Sequence, residues 1–292
     1  MTKKECLYNC ANLALGSIFS LIMANISGSS LLLAQNAEVF DTEAQSIKGQ
    51  EGTEVMVIGA VGDSITSAFN AKFPLNNKVV SWSTGTNTEQ SHSHYMRLKK
   101  LFPNKILKSY NESFPGIQAH QLLPQIQKLN KQNPDYVAFT IGANDVCHTP
   151  KEQEFNVARF TGYVEQSLET LIKANPDIKI VMGLIPDVIN LRKKALDRPY
   201  CRAIWSTLAP CKTALHPDLT EADLELFREK WLIANDALVE VGNKFPANVK
   251  VPPAKEANYE FDFDLISPID CFHPNTEGQN ILSELTWKYG WY

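Results

Sequence analysis

The sequence has no excess of either charge. Its 28 Lys and Arg stand against 32 Asp and Glu, a formal net charge of −4 in 292 residues. Binding to a phosphate backbone needs a concentrated basic face, so nucleic acid is not an expected partner. The six cysteines include no C-x-x-C pair, which weakens any zinc reading. There is no internal repeat and no low-complexity linker, so one domain is the simplest organisation. What is present, 44% hydrophobic, 10% aromatic and 21% charged residues, is the composition of a packed globular protein. It excludes a largely disordered, collagenous or coiled-coil chain, and a single α/β domain of this size holds a core without staples.

Also missing is an uninterrupted membrane-length apolar run. Lys3 and Lys4 precede an apolar stretch over residues 13–34 that Asn25, Ser27, Gly28, Ser29 and Ser30 interrupt. This is the layout of a secretory signal, with small-residue cleavage near Ala34. The rival is an uncleaved anchor, and the polar interruptions make it a poor spanning helix. The expected organisation is a signal at 1–34, a polar lead-in at 35–53 and one domain at 54–292. Export to an oxidising compartment would leave Cys147, Cys201, Cys211 and Cys271 in the mature chain. They allow three complete pairings, among which sequence alone does not choose.

From residue 54 short apolar runs alternate with helical patterns. Residues 55–61, 105–110, 136–141, 178–184 and 249–251 read as strands, the first nearly continuous in apolar residues, as a strand buried on both faces should be. Helical spacing occupies 89–102, 118–132 with an interruption at Pro124, 155–174, a long stretch capped by Thr220, and 276–289. Residues 185–219, with four prolines and two cysteines, read as a long, partly stapled loop walling a site. Such alternation predicts a parallel sheet covered by helices on both faces, with ligands at the carboxyl ends of the strands.

Three polar motifs fall just past expected strands. Gly62-Asp63-Ser64-Ile65-Thr66 would present a serine at a strand end and a helix N-terminus; the bland alternative is a helix cap. Gly142-Ala143-Asn144-Asp145 offers an amide N–H to a developing oxyanion, or is a common turn. Asp270-Cys271-Phe272-His273-Pro274-Asn275 places an aspartate three residues before a histidine, whose free nitrogen would face a nucleophile; alone, it is as well read as a capping loop.

Taken in order, these motifs resemble the SGNH, or GDSL, hydrolase superfamily, and the likeness covers nearly all of residues 54–292. That family's second block ends in a glycine, a place that Gly116 takes in Asn111-Glu-Ser-Phe-Pro-Gly116. Ile65 stands where the family often has leucine. The Ser81-Trp-Ser83 segment, Gly142-x-Asn-Asp-x-Cys147 and Asp270-Cys-Phe-His273 are most similar to the phospholipase B-like branch. The stretch from Gly142 through Cys201 and Cys211 to Asn275 also resembles acyloxyacyl hydrolase, which removes acyl chains from lipopolysaccharide.

The resemblance implies a three-layer α/β/α, flavodoxin-like fold with a central parallel sheet of about five strands. It implies an esterase acting on acyl esters, above all of lipids in the phospholipase or lysophospholipase manner, without metal or organic cofactor. Ser64 would be the nucleophile, His273 its base and Asp270 the orienting carboxylate; the Ser64 and Gly116 N–H groups and the Asn144 side chain would hold the oxyanion. Carbohydrate O-deacetylation and a silent lipid- or sugar-binding protein on the same fold are the alternatives. Because the blocks of such a fold converge on Ser64, the expected disulfides are Cys147–Cys271 and, within the proline-rich stretch, Cys201–Cys211.

Other residues invite functional readings with blander rivals. His92 and His94 resemble a metal pair, but residues two apart on a helix do not face each other. His120, His148 and His216 read as loop or surface residues, with His148 close enough to Asn144 to line the site. Trp82 would line an acyl pocket or fill the core. Trp287, Tyr289, Trp291 and Tyr292 would touch a membrane interface peripherally or anchor the final helix. Asn111-Glu-Ser113 is formally a glycosylation sequon.

Overall fold

The computed structural model describes residues 54–292 other than Ala209. The expected signal and lead-in, residues 1–53, lie outside the described residues. Five parallel strands form one sheet: β1 (Val55–Gly62), β2 (Ile106–Asn111), β3 (Tyr136–Thr140), β4 (Lys179–Met182) and β5 (Val249–Lys250), in the order β2-β1-β3-β4-β5. Register runs Val55 to Ile106, Ile58 to Tyr136, Tyr136 to Lys179 and Ile180 to Val249. The chain leaves β1 for β2 on one side and then crosses back to β3 on the other. This makes the crevice beyond the carboxyl ends of β1 and β3 the topological switch point where open α/β sheets bind ligands.

The helices are α1 (His94–Leu101), α2 (Leu123–Asn130), α3 (Ala143–His148), α4 (Val157–Ala174), α5 (Val188–Ala195), α6 (Pro199–Thr207), α7 (Lys212–Leu215), α8 (Glu221–Asn243) and α9 (Thr276–Lys288). Strand alternation sends Val137, Phe139, Ile180 and Met182 to one face, where Ile126 and Leu129 of α2, Leu168 of α4 and Leu238 of α8 cover them. Met56, Ile58, Tyr136 and Val181 point the other way, against Leu98 of α1 and Trp287 of α9. The result is the three-layer α/β/α arrangement. Thr220 starts α8 with a capping box, its hydroxyl accepting from the Asp223 N–H while the Asp223 carboxylate accepts from the Thr220 N–H. Pro124 lies in the first turn of α2, where it lacks no needed N–H, so it starts that helix instead of kinking it.

Two expectations about the middle of the chain are corrected. Residues 185–219 are mostly helical: Asp187 caps α5 by accepting from the Ile189 and Asn190 N–H groups, and Pro199 begins α6. The prolines punctuate helices instead of keeping the segment irregular. The disulfides are Cys147–Cys211 and Cys201–Cys271, with Cα atoms 4.7 and 5.5 Å apart. Cys201 sits in the first turn of α6 and Cys211 lies past its end, and the helix's rise of about 1.5 Å per residue holds them apart. Cys147 lies near the end of α3, a turn beyond Asn144, where Thr213 of α7 donates to its carbonyl. Each cysteine of the two site loops therefore pairs with the 199–215 segment, not with the other.

His94 is fully buried, bonded through Nδ1 to the Tyr136 hydroxyl at 2.6 Å and through Nε2 to Thr286 Oγ1 at 2.9 Å. Burial pushes its pKa down to about 3, so it is a neutral link between α1, β3 and α9. The terminal aromatics also hold structure: Trp291 Nε1 donates to the Ile180 carbonyl, and Lys179 and Lys250 lie over its ring. The Asn111 amide donates to the Thr66 carbonyl and to Thr84 Oγ1, so the sequon's side chain is engaged inside the fold.

Candidate active site

β1 ends at Gly62, whose φ is +141°. A Cβ at this position would stand 2.1 Å from the Thr140 carbonyl oxygen, so only glycine lets β1 and β3 lie this close at their ends. Gln125 clamps the turn from below: its Oε1 accepts from the Gly62 N–H at 2.9 Å, and its Nε2 donates to the Gly62 carbonyl at 3.1 Å. The chain then makes a compact irregular turn in place of the expected helix. The Ser67 N–H donates to the Asp63 carbonyl and the Phe69 N–H to that of Ser64. Positive φ at Ala68 and Asn70 ends the turn. Ser64 is held at its start, 7% exposed.

Beyond β2 the chain continues alongside β1, the Phe114 N–H donating to the Gly62 carbonyl, and reaches Gly116 at φ +80°. The next residues are laced to α3. Asn144 Nδ2 donates to the Ile117 carbonyl at 3.0 Å, and the Asp145 carboxylate accepts from the Ala119 N–H at 3.0 and 3.1 Å. His148 Nδ1 donates to the Asn144 carbonyl at 2.7 Å. Gly116 and Asn144 are thereby brought to one place, with one Asn144 amide hydrogen left over.

The third motif sits in a loop before α9. Asp270 Oδ2 accepts from His273 Nδ1 at 2.6 Å, while Oδ1 accepts from the Phe272 and His273 backbone N–H groups at 2.9 and 3.0 Å. Burial pushes the Asp270 carboxyl up, but the bonds and charge of His273 and the amide of Asn70 outweigh it and hold the group below the usual carboxylate range. The rings of Phe69 and Phe272 meet the imidazole edge to face at 5.2 and 4.7 Å. With Nδ1 committed to Asp270, Nε2 is the nitrogen left for a proton transfer. No hydrogen bond joins Ser64 Oγ to His273 among the described residues.

Three cavities flank these residues, two apolar and one polar. One, about 40 Å³, is apolar and lies between Ile65, Ala143, Pro186, Leu191, Phe272 and Pro274, touching the neighbours of Ser64, Asn144 and His273. Ile65 and Pro186 also line a second apolar cavity of about 40 Å³ that reaches the buried Trp82. The other kind of space, about 220 Å³, is polar and opens behind α3 among Gln118, His120, Asp145, His148, Arg159 and Tyr163.

The model of the GDSL-like lipase/acylhydrolase family matches residues 58–286. This chain belongs to that family. Human phospholipase B1, membrane-associated, is 23% identical over 300 aligned positions, covering 85% of this chain and 20% of that protein. The chain thus spans about a fifth of that relative's length. Among solved structures, one described as a GDSL-like lipase from Parabacteroides merdae is similar at 18% identity with a TM-score of 0.50, over 81% of this chain and 96% of that one. A family 3 carbohydrate esterase from Clostridium thermocellum gives 14% identity and a TM-score of 0.46, over 81% and 95%.

The sequence motifs of this GDSL-family chain leave out Phe69, Asn70 and Gln125 and include Asp145 only as part of a turn. Gln125 and Asp145 brace the strand-end turns from helices, a contact no local spacing announces. Asn70 and Phe69 follow Ser64 closely, but only the loop's fold turns them toward the His273 loop.

Proposed function

We propose that this protein is an exported serine esterase that hydrolyses acyl esters of lipids, in the phospholipase or lysophospholipase manner. The observation that carries the reading is the buried Asp270–His273 pair, 2.6 Å between Oδ2 and Nδ1, in a loop that adjoins the Ser64 turn through Phe69. In this reading His273 Nε2 takes the Ser64 proton as Oγ attacks the ester carbonyl. The imidazolium, stabilised by Asp270, then returns that proton to the leaving alcohol. Water repeats the sequence on the acyl-serine. The Ser64 and Gly116 N–H groups and the Asn144 amide hold the negative oxygen of each tetrahedral intermediate.

The apolar cavity beside Ile65 and Phe272 favours a hydrocarbon acyl group on that side. Export is favoured by Lys3, Lys4 and the apolar stretch after them. The two disulfides fit an oxidising, extracellular compartment. The polar cavity behind α3 supports a second reading, an O-deacetylase of carbohydrate, because amides, a guanidinium and Tyr163 there suit a hydroxyl-rich alcohol.

A release assay on phospholipids, lysophospholipids, short p-nitrophenyl esters and acetylated sugars separates the two readings. Fatty acid release from lipid supports the first, and acetate release from sugar alone replaces it with the second. Failure of a fluorophosphonate to label Ser64 overturns both. Sequencing the N-terminus of the exported protein tests cleavage near Ala34.

A further inference from the structure

The geometry points to Asn70 as a positioning residue of this site, one that fixes the Asp270 carboxylate against His273 by donating to the same oxygen the imidazole uses. The inference rests on the assignment of His273 and Asp270 proposed above. Asn70 is 8% exposed and adopts φ +56°, a left-handed conformation that asparagine tolerates better than most residues. Its backbone N–H donates to the Leu75 carbonyl at 2.7 Å, and its carbonyl accepts from Ser267 Oγ at 2.6 Å. Its side-chain Oδ1 accepts from the Leu75 N–H at 2.8 Å, and Nδ2 donates to Asp270 Oδ2 at 2.5 Å. The orientation of the amide is unambiguous. A flip would set an oxygen against a carboxylate and an NH₂ against a backbone N–H.

Each Asp270 oxygen therefore has a set task. Oδ1 is anchored by two backbone N–H groups of its own loop, which leaves the carboxylate free to tilt about that anchor. Oδ2 would follow the imidazole alone if Asn70 were absent. With Asn70 it is fixed from the Ser64 side of the site, because residues 64–70 form one continuous turn. The amide ties the nucleophile's segment to the carboxylate and hence to the base. The donor also disperses part of the Asp270 charge that would otherwise fall on the imidazole. The other carboxylate whose charge acts with that of His273 is Asp63, while Phe69 and Phe272 cover the ring without titrating.

Asn70→Gly is the clean deletion, because glycine accepts the left-handed backbone. Asn70→Asp keeps the acceptor for Leu75 and changes only what faces Asp270. Expected for folded Asn70→Gly is a fall in kcat of about tenfold to a hundredfold, the worth of one hydrogen bond to a charged group, with KM little changed. The low-field Nδ1–H resonance of His273 should move or vanish. Expected for Asn70→Asp is a comparable loss near pH 8, where the two carboxylates repel. Activity relative to wild type should recover toward pH 5, where the pair shares a proton that restores the donor.

A residue that only shapes the loop would leave the resonance and the pH dependence of that ratio unmoved. Wild-type kcat in both folded variants, with an unchanged His273 resonance, overturns the inference. A wild-type protein that hydrolyses no ester overturns the functional reading instead, and the resonance arm still decides the role of Asn70 without substrate.

Discussion

Two buried carboxylates lie near His273, and their surroundings drive them in opposite directions. Asp270 receives four hydrogen bonds, from His273 Nδ1, two backbone N–H groups and Asn70, and is held low. Asp63 is fully buried with one side-chain bond, from the Ile65 N–H at 3.0 Å, and burial pushes it up to about 6. Burial alone would raise both; the number of donors decides which is held low. In the proposed mechanism Asp270 is the carboxylate that faces the imidazolium, while Asp63 braces the turn after β1.

The comparison is sharpened by substitutions of decreasing effect. Ser64→Ala should lower kcat by about a millionfold in a folded protein, measured by ester release and loss of fluorophosphonate labelling. Asp270→Asn should cost about ten-thousandfold, because an amide no longer holds the productive tautomer. If Asp63→Asn cost as much, the division of roles between the two carboxylates would be broken. Asn144→Ala should cost about a hundredfold to a thousandfold in kcat while Ser64 still labels slowly.

The smallest effect is on stability. The Asp63 pKa rises on folding, so the folded state binds the extra proton between the unfolded value of 3.8 and about 6. Its contribution to stability is complete below that window and is lost as pH rises through it. Asp63→Asn should therefore change little near pH 4 and stabilise by up to about 3 kcal/mol near pH 8, read from denaturant melts at both pH values. A gain of equal size at both would refute the buried, ionising Asp63.

The sheet was legible because its strands are short apolar runs bounded by polar turns, and all five strands fall within two residues of their expected bounds. Ser64, Gly116, Asn144, Asp270 and His273 were legible as ordered blocks, each just beyond a strand or before the last helix. The 185–219 segment was not, because proline reads as a breaker when it is in fact a helix starter at Pro199. The disulfides were misjudged because convergence of two loops on a serine says where Asn144 and His273 point. It does not say where cysteines two or three residues away must point. Asn70 was invisible for a related reason: its partner lies 200 residues away and is reached only through a left-handed turn.

The order of the bridged cysteines along the chain is 147, 201, 211, 271, joined first to third and second to fourth. The two covalent loops therefore overlap, and a single peptide-bond break anywhere between residues 147 and 271 leaves the pieces linked by at least one bridge. A break between 201 and 211 is spanned by both. A protease outside the cell that nicks this half of the molecule once would not release the fragment carrying His273 from the fragment carrying Ser64. The nicked protein would run as one chain until a thiol reductant was added.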